Sequence, residues 1–265
     1  MKSKKIKTKE NYFKKNWEIL LKSFKEFDNR AIHIVLYDLI FFSISFLSLF
    51  LFGRYLQNKS IELNLISIDQ LMGLPPEDLV LLSSQLKGFL MAIIIGFLLV
   101  ALIVFLSMCI FKALIWFKVV KKKIELNDIS KFTLLNLLWF LIWSVLAVVL
   151  FWFMKKQLLA PFFIIIALLM MHFTNLLYIF FTDSKGLGAG FGVIKESFKF
   201  GIKKAHMFIL PYFIMFIVFL AVLQLYWLYS FMPEGVQSVI TSIVILTYLA
   251  WSRMYLYSVV KGIEK

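Results

Sequence analysis

The sequence predicts an all-α membrane protein, a bundle of six transmembrane helices with basic amphipathic helices at its cytoplasmic interface. Hydrophobic residues make up 62% of the 265 residues and charged residues only 17%, whereas a soluble domain carries about 25% charged residues. Six long runs are almost free of charge, and a helix of about 20 such residues crosses a hydrocarbon core. The runs are continuous rather than alternating, which excludes a transmembrane β-barrel.

These runs define the expected organisation of the chain. The predicted spans are residues 34–53, 89–111, 132–153, 160–181, 207–230 and 236–259. The membrane domain therefore covers residues 34–265 and follows a basic tail and interfacial helix over residues 1–33. Residues 54–87 form the external segment, and residues 112–131 and 182–206 form cytoplasmic loops. Ser67 and Pro76 each begin a pattern typical of a helix start, so two short external helices are expected.

The lysines and arginines predict the orientation. Ten precede the first span, six follow the second, five follow the fourth and three lie near the end, whereas the opposite side has five. By the positive-inside rule both termini are cytoplasmic, in a plasma membrane. Abundant Lys, Ile and Phe with little Arg is typical of an AT-rich prokaryotic genome. The net charge of +14 is spread over several loops, which favours anionic lipid headgroups over nucleic acid as the partner.

Two basic segments could contact those headgroups. Residues 11–27 place apolar and aromatic residues on one helical face and lysines on the other. Such a helix either lies in the membrane interface or packs on the protein's own cytoplasmic side. A second basic segment, residues 195–204, precedes the fifth span. The candidate headgroup contacts are Lys14, Lys15, Lys22, Lys25, Lys199, Lys203 and Lys204.

The two basic segments also suggest an internal repeat. Ser23-Phe24-Lys25 aligns with Ser197-Phe198-Lys199, and the same offset pairs Leu36 with Leu210. The repeated unit would be an amphipathic helix followed by two spans, used two or three times, as parallel repeats in membrane proteins are.

Two sets of polar residues lie within the spans. Asp38 and Arg253 lie about one turn from the cytoplasmic ends of the first and last spans, and charges there are costly unless they pair or reach the headgroups separately. His172, Asn175 and Tyr178 recur at intervals of three in the fourth span. That stripe is either a polar path of a transporter or permease subunit, with Pro211 kinking the fifth span, or a set of interhelical hydrogen bonds.

Features that indicate catalysis are missing from the sequence. His33, His172 and His206 are scattered, Cys109 is the single cysteine, and the spans offer no convergent acid and base. We therefore expect no catalytic residues, no metal, no cofactor and no enzymatic activity.

One segment carries a resemblance to a known family. It runs Phe181-Thr182-Asp183, Gly190, Lys195-Glu196-Ser197-Phe198-Lys199, Lys203-Lys204 and Phe208-Ile209-Leu210. It resembles prokaryotic six-span membrane proteins, including the membrane-anchoring domain of bacterial glycerophosphodiester phosphodiesterases. The resemblance implies a glycine-bearing loop, an amphipathic helix and a span, without catalytic residues. The expected function is non-enzymatic organisation of lipid or of a partner protein at the cytoplasmic face.

Overall fold

The computed structural model describes residues 2–25, 27–62, 76–153, 156–183 and 190–264. Within these residues the chain forms nine α-helices. They are α1 (Lys2–Lys25), α2 (Asn29–Glu62), α3 (Pro76–Val120), α4 (Leu126–Phe153), α5 (Lys156–Asp183), α6 (Phe191–Lys203), α7 (Ala205–Gln224), α8 (Tyr226–Tyr229) and α9 (Glu234–Glu264). The helices long and apolar enough to span a membrane are α2, α3, α4, α5, α7 with α8, and α9. The prediction of an all-α polytopic membrane protein is confirmed.

Several helices are longer than the predicted spans. The 45 residues of α3 reach about 68 Å at 1.5 Å per residue, which is more than a hydrocarbon core of about 30 Å requires. The loop expected over residues 112–131 begins too early, because residues 112–120 continue α3. Ile115 and Trp116 are buried, and their packing stabilises this extension of the helix. Only residues 121–125 separate α3 from α4.

The predicted external segment is also partly helical. Residues 54–62 continue α2, and α3 begins at Pro76, where a proline is well placed because it needs no N–H partner. The second expected external helix is therefore the start of α3. The first, near Ser67, lies outside the described residues.

The fifth predicted span is interrupted near its end. Helix α7 runs through Pro211 without interruption and ends at Gln224, and α8 follows after Leu225. The backbone N–H of Leu225 bonds to the Val222 carbonyl at 3.1 Å, a spacing that tightens the last turn of a helix. The break is thus at Leu225 rather than at Pro211.

The chain divides into two compact units. Residues 1–39 with 111–265 form the first, here the bundle unit, and residues 40–110 form the second, the hairpin unit. In the hairpin unit the Phe52 ring of α2 covers Gly96 of α3, leaving no room for a Cβ atom there. Glycine at this position allows the two helices to approach closely, as small residues do in membrane proteins.

Aromatic residues from three helices form the centre of the bundle unit. The Tyr178 ring of α5 lies 4.9 Å from the Phe132 ring of α4 and 5.9 Å from the Trp116 ring of α3, measured between centroids. Phe132 and Trp116 are fully buried. Offset and edge-to-face rings at these distances attract one another beyond the area they bury.

The two basic helices pack in similar ways. Helix α1 lies on α9, with Phe24 stacked on Trp251, and α6 lies on α5, with Phe198 against Phe173. Each has a buried serine in the same Ser-Phe-Lys sequence, and each serine hydroxyl donates to a carbonyl of its own helix, Ser23 to Leu20 and Ser197 to Val193. The two aligned segments thus share a local arrangement.

Helix α6 approaches α5 so closely that only glycine fits at residue 201. A Cβ atom on Gly201 would lie 2.6 Å from Cε1 of Phe173 and 2.9 Å from Cδ1 of Leu176. We expect Gly201→Ala to lower the free energy of unfolding by about 1–3 kcal/mol, because the buried Phe173 ring cannot yield without disturbing Phe198. The melting temperature in uncharged detergent measures this.

Gly53 is the matched control for Gly201. No atom outside its own helix lies within 4 Å of a Cβ built there. Gly53→Ala should therefore stabilise α2 by about 0.5–1 kcal/mol, the usual gain in a helix interior. Equal effects of the two substitutions would contradict the close approach of α6 and α5.

Candidate functional site

Asp38, Arg253 and Lys112 form a buried ionic cluster in the bundle unit. The Asp38 side chain is 0% exposed. The Arg253 guanidinium donates to both carboxylate oxygens, and the Lys112 ammonium lies 3.2 Å from Oδ1. The structure thus brings together the two residues expected to pair and adds Lys112 as a third. The cluster joins α2, α9 and the C-terminal part of α3.

The two cations hold Asp38 differently. Arg253 makes a two-pronged contact and is 12% exposed, whereas Lys112 makes one contact and is 21% exposed. A two-pronged guanidinium–carboxylate contact is the stronger and more directional of the two. Arg253 is therefore the principal partner of Asp38.

The polar stripe of α5 divides between two neighbouring helices. Nδ1 of His172 lies 2.8 Å from the Tyr212 hydroxyl of α7, and the Tyr178 hydroxyl donates to Oδ1 of Asn136 on α4. Asn175, between them, is half-buried. A helix turns 100° per residue, so positions three apart drift by about 60° each time. The stripe therefore faces α7 at one end and α4 at the other.

The surroundings of His172 are aromatic. Its ring lies 5.0 Å from that of Phe208 and 5.6 Å from that of Tyr212, in edge-to-face contacts. Nearby, the Trp139 indole N–H of α4 donates to Thr174 of α5 at 2.8 Å. These contacts join α5 to its neighbours. Gln224, which could have faced the stripe, is exposed.

Helix α1 has three distinct faces. The face on α9 includes Asn16 and Ser23, which are buried, and Ser23 accepts a hydrogen bond from the Trp251 indole at 3.1 Å. The next face carries Trp17, Leu21 and Phe24, which are about half exposed. A third face carries the lysines.

A helix on a water-soluble protein buries its apolar stripe, and α1 does so only in part, since it buries Leu20. Here α1 buries polar side chains and exposes Trp17, which is 53% accessible. Exposed aromatic residues beside lysines are typical of a helix at a membrane interface. The structure shows that α1 packs on the protein and also presents an apolar stripe outward, and the membrane interface stays a prediction for that stripe.

The four lysines of α1 whose side chains are described fall into two pairs. Lys14 and Lys25 lie next to the exposed apolar stripe. Lys15 and Lys22 lie on the side of the lysine face that is farther from the stripe, where they line a cleft. Lys15 also donates to the Gly262 carbonyl of α9 at 2.5 Å. On the second basic helix, Lys199 and Lys203 are exposed, and Lys204 is half-buried at the break before α7.

Basic residues also hold several helix ends together. Lys122 donates to the carbonyls of Thr182 and Asp183 at the end of α5, at 2.6 and 2.9 Å. Lys261 of α9 pairs with the Asp183 carboxylate and, at 2.7 Å, with Glu264. Cations are favoured at helix C-termini because the last carbonyls have no partner in the helix.

We call this part of the bundle unit the basic end. It comprises α1, the N-terminal end of α2 and the C-terminal ends of α3, α5 and α9. A cleft of about 590 Å³ opens there, within the size range of small-molecule sites. Among the described residues that line the cleft, one is acidic, Glu18, and five are basic. The basic residues come from four parts of the chain and are Lys15, Lys22, Arg30, Lys121 and Lys261.

Two of these cations are also bound to carboxylates outside the cleft lining. Lys261 pairs with Asp183 and Glu264, and Nε of Arg30 lies 2.8 Å from Oδ2 of Asp28. The hydrogen bond from Arg30 holds the pKa of Asp28 below its usual value, so this exposed carboxylate stays ionised in mildly acidic solution. These contacts position the two basic side chains at the edge of the cleft.

Lys121 has an unusual backbone. Its φ is 63°, in the left-handed region, where glycine is the usual residue. The Lys122 N–H bonds to the Phe117 carbonyl at 3.0 Å and the Lys121 N–H to the Lys118 carbonyl at 3.2 Å. This is the Schellman pattern that ends a helix, with lysine at the position that favours glycine. Nothing in the sequence indicates this strain.

Comparisons with protein-family models, with curated proteins and with solved structures found no match to this chain. The interpretation of the basic end therefore depends on its own residues. Sequence reasoning missed Lys112 and Lys121, which it placed in a loop. Glycine and proline are absent from residue 97 to residue 160, a run that includes the break at residues 121–125, so these residue types did not signal where the helix ends.

Proposed function

We propose that this protein is a non-enzymatic integral membrane protein that organises anionic lipid at the cytoplasmic face of a prokaryotic plasma membrane. The observation that supports it best is α1, which exposes Trp17, Leu21 and Phe24 next to Lys14 and Lys25. An apolar stripe flanked by lysines suits a surface where acyl chains meet anionic headgroups. The positive-inside rule assigns this end, with both termini, to the cytoplasm.

The packing of α1 supports a role beyond simple attachment. Phe24 stacks on Trp251 at 5.1 Å, and the Trp251 indole donates to Ser23. The C-terminal part of α1 is therefore attached to α9, so the lysines of that part keep fixed positions relative to the bundle unit. A fixed row of cations would gather anionic headgroups at one place, whereas a flexible tail would spread them.

Bromine-labelled lipids test this proposal. The full-length protein is placed in nanodiscs of brominated anionic phosphatidylglycerol with unlabelled phosphatidylcholine, or with the label reversed. The Trp17 signal is the fluorescence difference from Trp17→Phe. We expect stronger quenching when the anionic lipid carries bromine. Each lysine near the surface contributes about 1 kcal/mol, so Lys14→Gln with Lys25→Gln should lower the local enrichment roughly thirtyfold.

Lys59→Gln with Lys87→Gln is the matched control, because it removes the same charge from the predicted external side. It should leave the Trp17 signal unchanged. Equal quenching by the two labelled lipids would contradict lipid organisation. If a protein from the native membrane then co-purified with the wild type and not with the Lys14 and Lys25 variant, a protein partner would replace lipid in the proposal.

A further inference from the structure

We infer that the cleft at the basic end binds one phosphate monoester group, either that of a phosphatidate-type lipid headgroup or that of a soluble phosphate ester. This deepens the proposed function and rests on it only for the lipid source. Lys14 and Lys25, which support that function, do not line the cleft. The two sites can therefore be tested separately.

The charge of the cleft indicates the ligand. Five basic residues and one acidic residue, Glu18, are among the described residues that line it, together with the hydroxyl-bearing Tyr257 and Ser258. Asp28, Asp183 and Glu264 pair with Arg30 and Lys261, so the positive excess at the cleft is smaller than the lining residues alone would give. Convergent ammonium and guanidinium groups with hydroxyl donors are the set that binds phosphate oxygens. A monoester carries a charge of about −1.5 to −2 near pH 7, so these cations attract it more strongly than they attract a singly charged diester.

The side chains are already positioned for such a ligand. Lys15 is fixed by the uncharged Gly262 carbonyl, a contact that orders the ammonium without neutralising it. Gly262 itself is tightly packed, because a Cβ atom there would lie 2.8 Å from Cδ1 of Ile19. Helix α1 and α9 therefore hold this wall of the cleft in place, which lowers the entropic cost of binding.

Lys121 is the most informative member of the cleft. A non-glycine residue in the left-handed region costs about 1 kcal/mol or more, and such strain is concentrated at functional sites. Here it places a lysine, rather than a glycine, at the edge of the cleft. The apolar residues Val119, Val120 and Met254 also line the cleft, and they could contact the glycerol and first methylene groups of a lipid.

Replacing Lys121 with Gly separates binding from folding. The change removes one cation and relieves the left-handed strain, so the melting temperature should stay the same or rise. Full-length protein in uncharged detergent is titrated with short-chain phosphatidate, short-chain phosphatidylglycerol and pyrophosphate, with binding followed by native mass spectrometry. A lost charge-assisted hydrogen bond should weaken phosphatidate binding at least roughly tenfold.

Lys123→Gly is the matched control. Lys123 is exposed and outside the cleft lining, so its loss should leave phosphatidate binding unchanged. Phosphatidate bound more tightly than both other ligands identifies the lipid source. Pyrophosphate bound as tightly, with the same loss in Lys121→Gly, identifies a soluble phosphate compound rather than a lipid as the source.

The remaining outcomes distinguish the two proposals. Unchanged phosphatidate binding in Lys121→Gly, or an equal loss in Lys123→Gly, would overturn the cleft site and leave lipid organisation by α1 intact. An equal loss in the Lys14 and Lys25 variant would also overturn it, since binding would then follow surface charge alone. If only Lys121→Gly lost phosphatidate binding and Trp17 showed no preference for anionic lipid in the quenching experiment, the cleft site would be supported and the proposed function contradicted.

Discussion

Replacing Asp38 with Asn is expected to lower the free energy of unfolding by about 3–5 kcal/mol, the usual effect of removing one partner from a buried ion pair. Asp38 is fully buried between Arg253 and Lys112. The amide would remove the negative charge that the Arg253 guanidinium contacts in a region of low dielectric constant. Steric trapping or thermal unfolding in uncharged detergent measures the loss.

A double-mutant cycle then assigns the loss to the pair. Arg253→Gln should be costly in the wild type and cost much less in Asp38→Asn, because the interaction it removes is already gone. Fully additive losses would contradict the pairing. Lys112→Met should have a smaller effect than Arg253→Gln, since it leaves a neutral ion pair behind.

Asp28 supplies the matched control for Asp38. It also pairs with an arginine, Arg30, but its side chain is 50% exposed. Exposed ion pairs contribute less than about 1 kcal/mol because water and salt screen them. Asp28→Asn should therefore leave the melting temperature nearly unchanged, and a loss as large as that of Asp38→Asn would mean that burial is not the cause.

Replacing Phe132 with Ala should have the second largest effect, about 2–3 kcal/mol. Phe132 is fully buried against Tyr178 and Phe181, so truncation leaves a cavity. In water-soluble proteins this change costs about 3–5 kcal/mol. Part of that is transfer from water, which is absent when the unfolded helix remains in lipid. The remainder is lost packing, measured by steric trapping.

Phe140 lies on the same helix and makes the comparison direct. Its side chain is 58% exposed, on a face that we assign to lipid. Phe140→Ala should change the free energy of unfolding by less than about 0.5 kcal/mol, as substitutions outside packed regions do. If Phe140→Ala were as harmful as Phe132→Ala, the face assigned to lipid would instead be packed against another chain.

The number of membrane helices follows from the sequence, and their ends do not. Charge-free runs identify the spans because charge is costly in lipid. The end of α3 depends on packing. Residues 112–120 contain charged residues, which favours a loop, but the chain stays helical there and buries Ile115 and Trp116. For that reason Lys112 was missed as a partner of Asp38. The pairing of Asp38 with Arg253 could be proposed from the sequence, because both residues lie at a similar depth in their predicted spans.

The sequence did not predict which face of each membrane helix is packed against the protein and which faces lipid. In a water-soluble protein the apolar stripe of a helix is its buried side, but in a membrane the lipid-facing and packed sides are both apolar. The sequence therefore does not distinguish Phe132 from Phe140. Helix α1 is a mixed case, since its buried side includes Leu20 as well as Asn16 and Ser23, and its exposed side is aromatic.

By itself, the sequence determined an all-α protein with six membrane helices, two basic segments and few polar residues within the spans. Hydrophobicity and charge are local properties, so a single chain reveals them. Only the tertiary structure decided that Lys112 joins Asp38, that Lys121 takes a left-handed backbone and that four parts of the chain form the basic cleft. Those features depend on side chains far apart in sequence, and their positions are determined only when the helices pack.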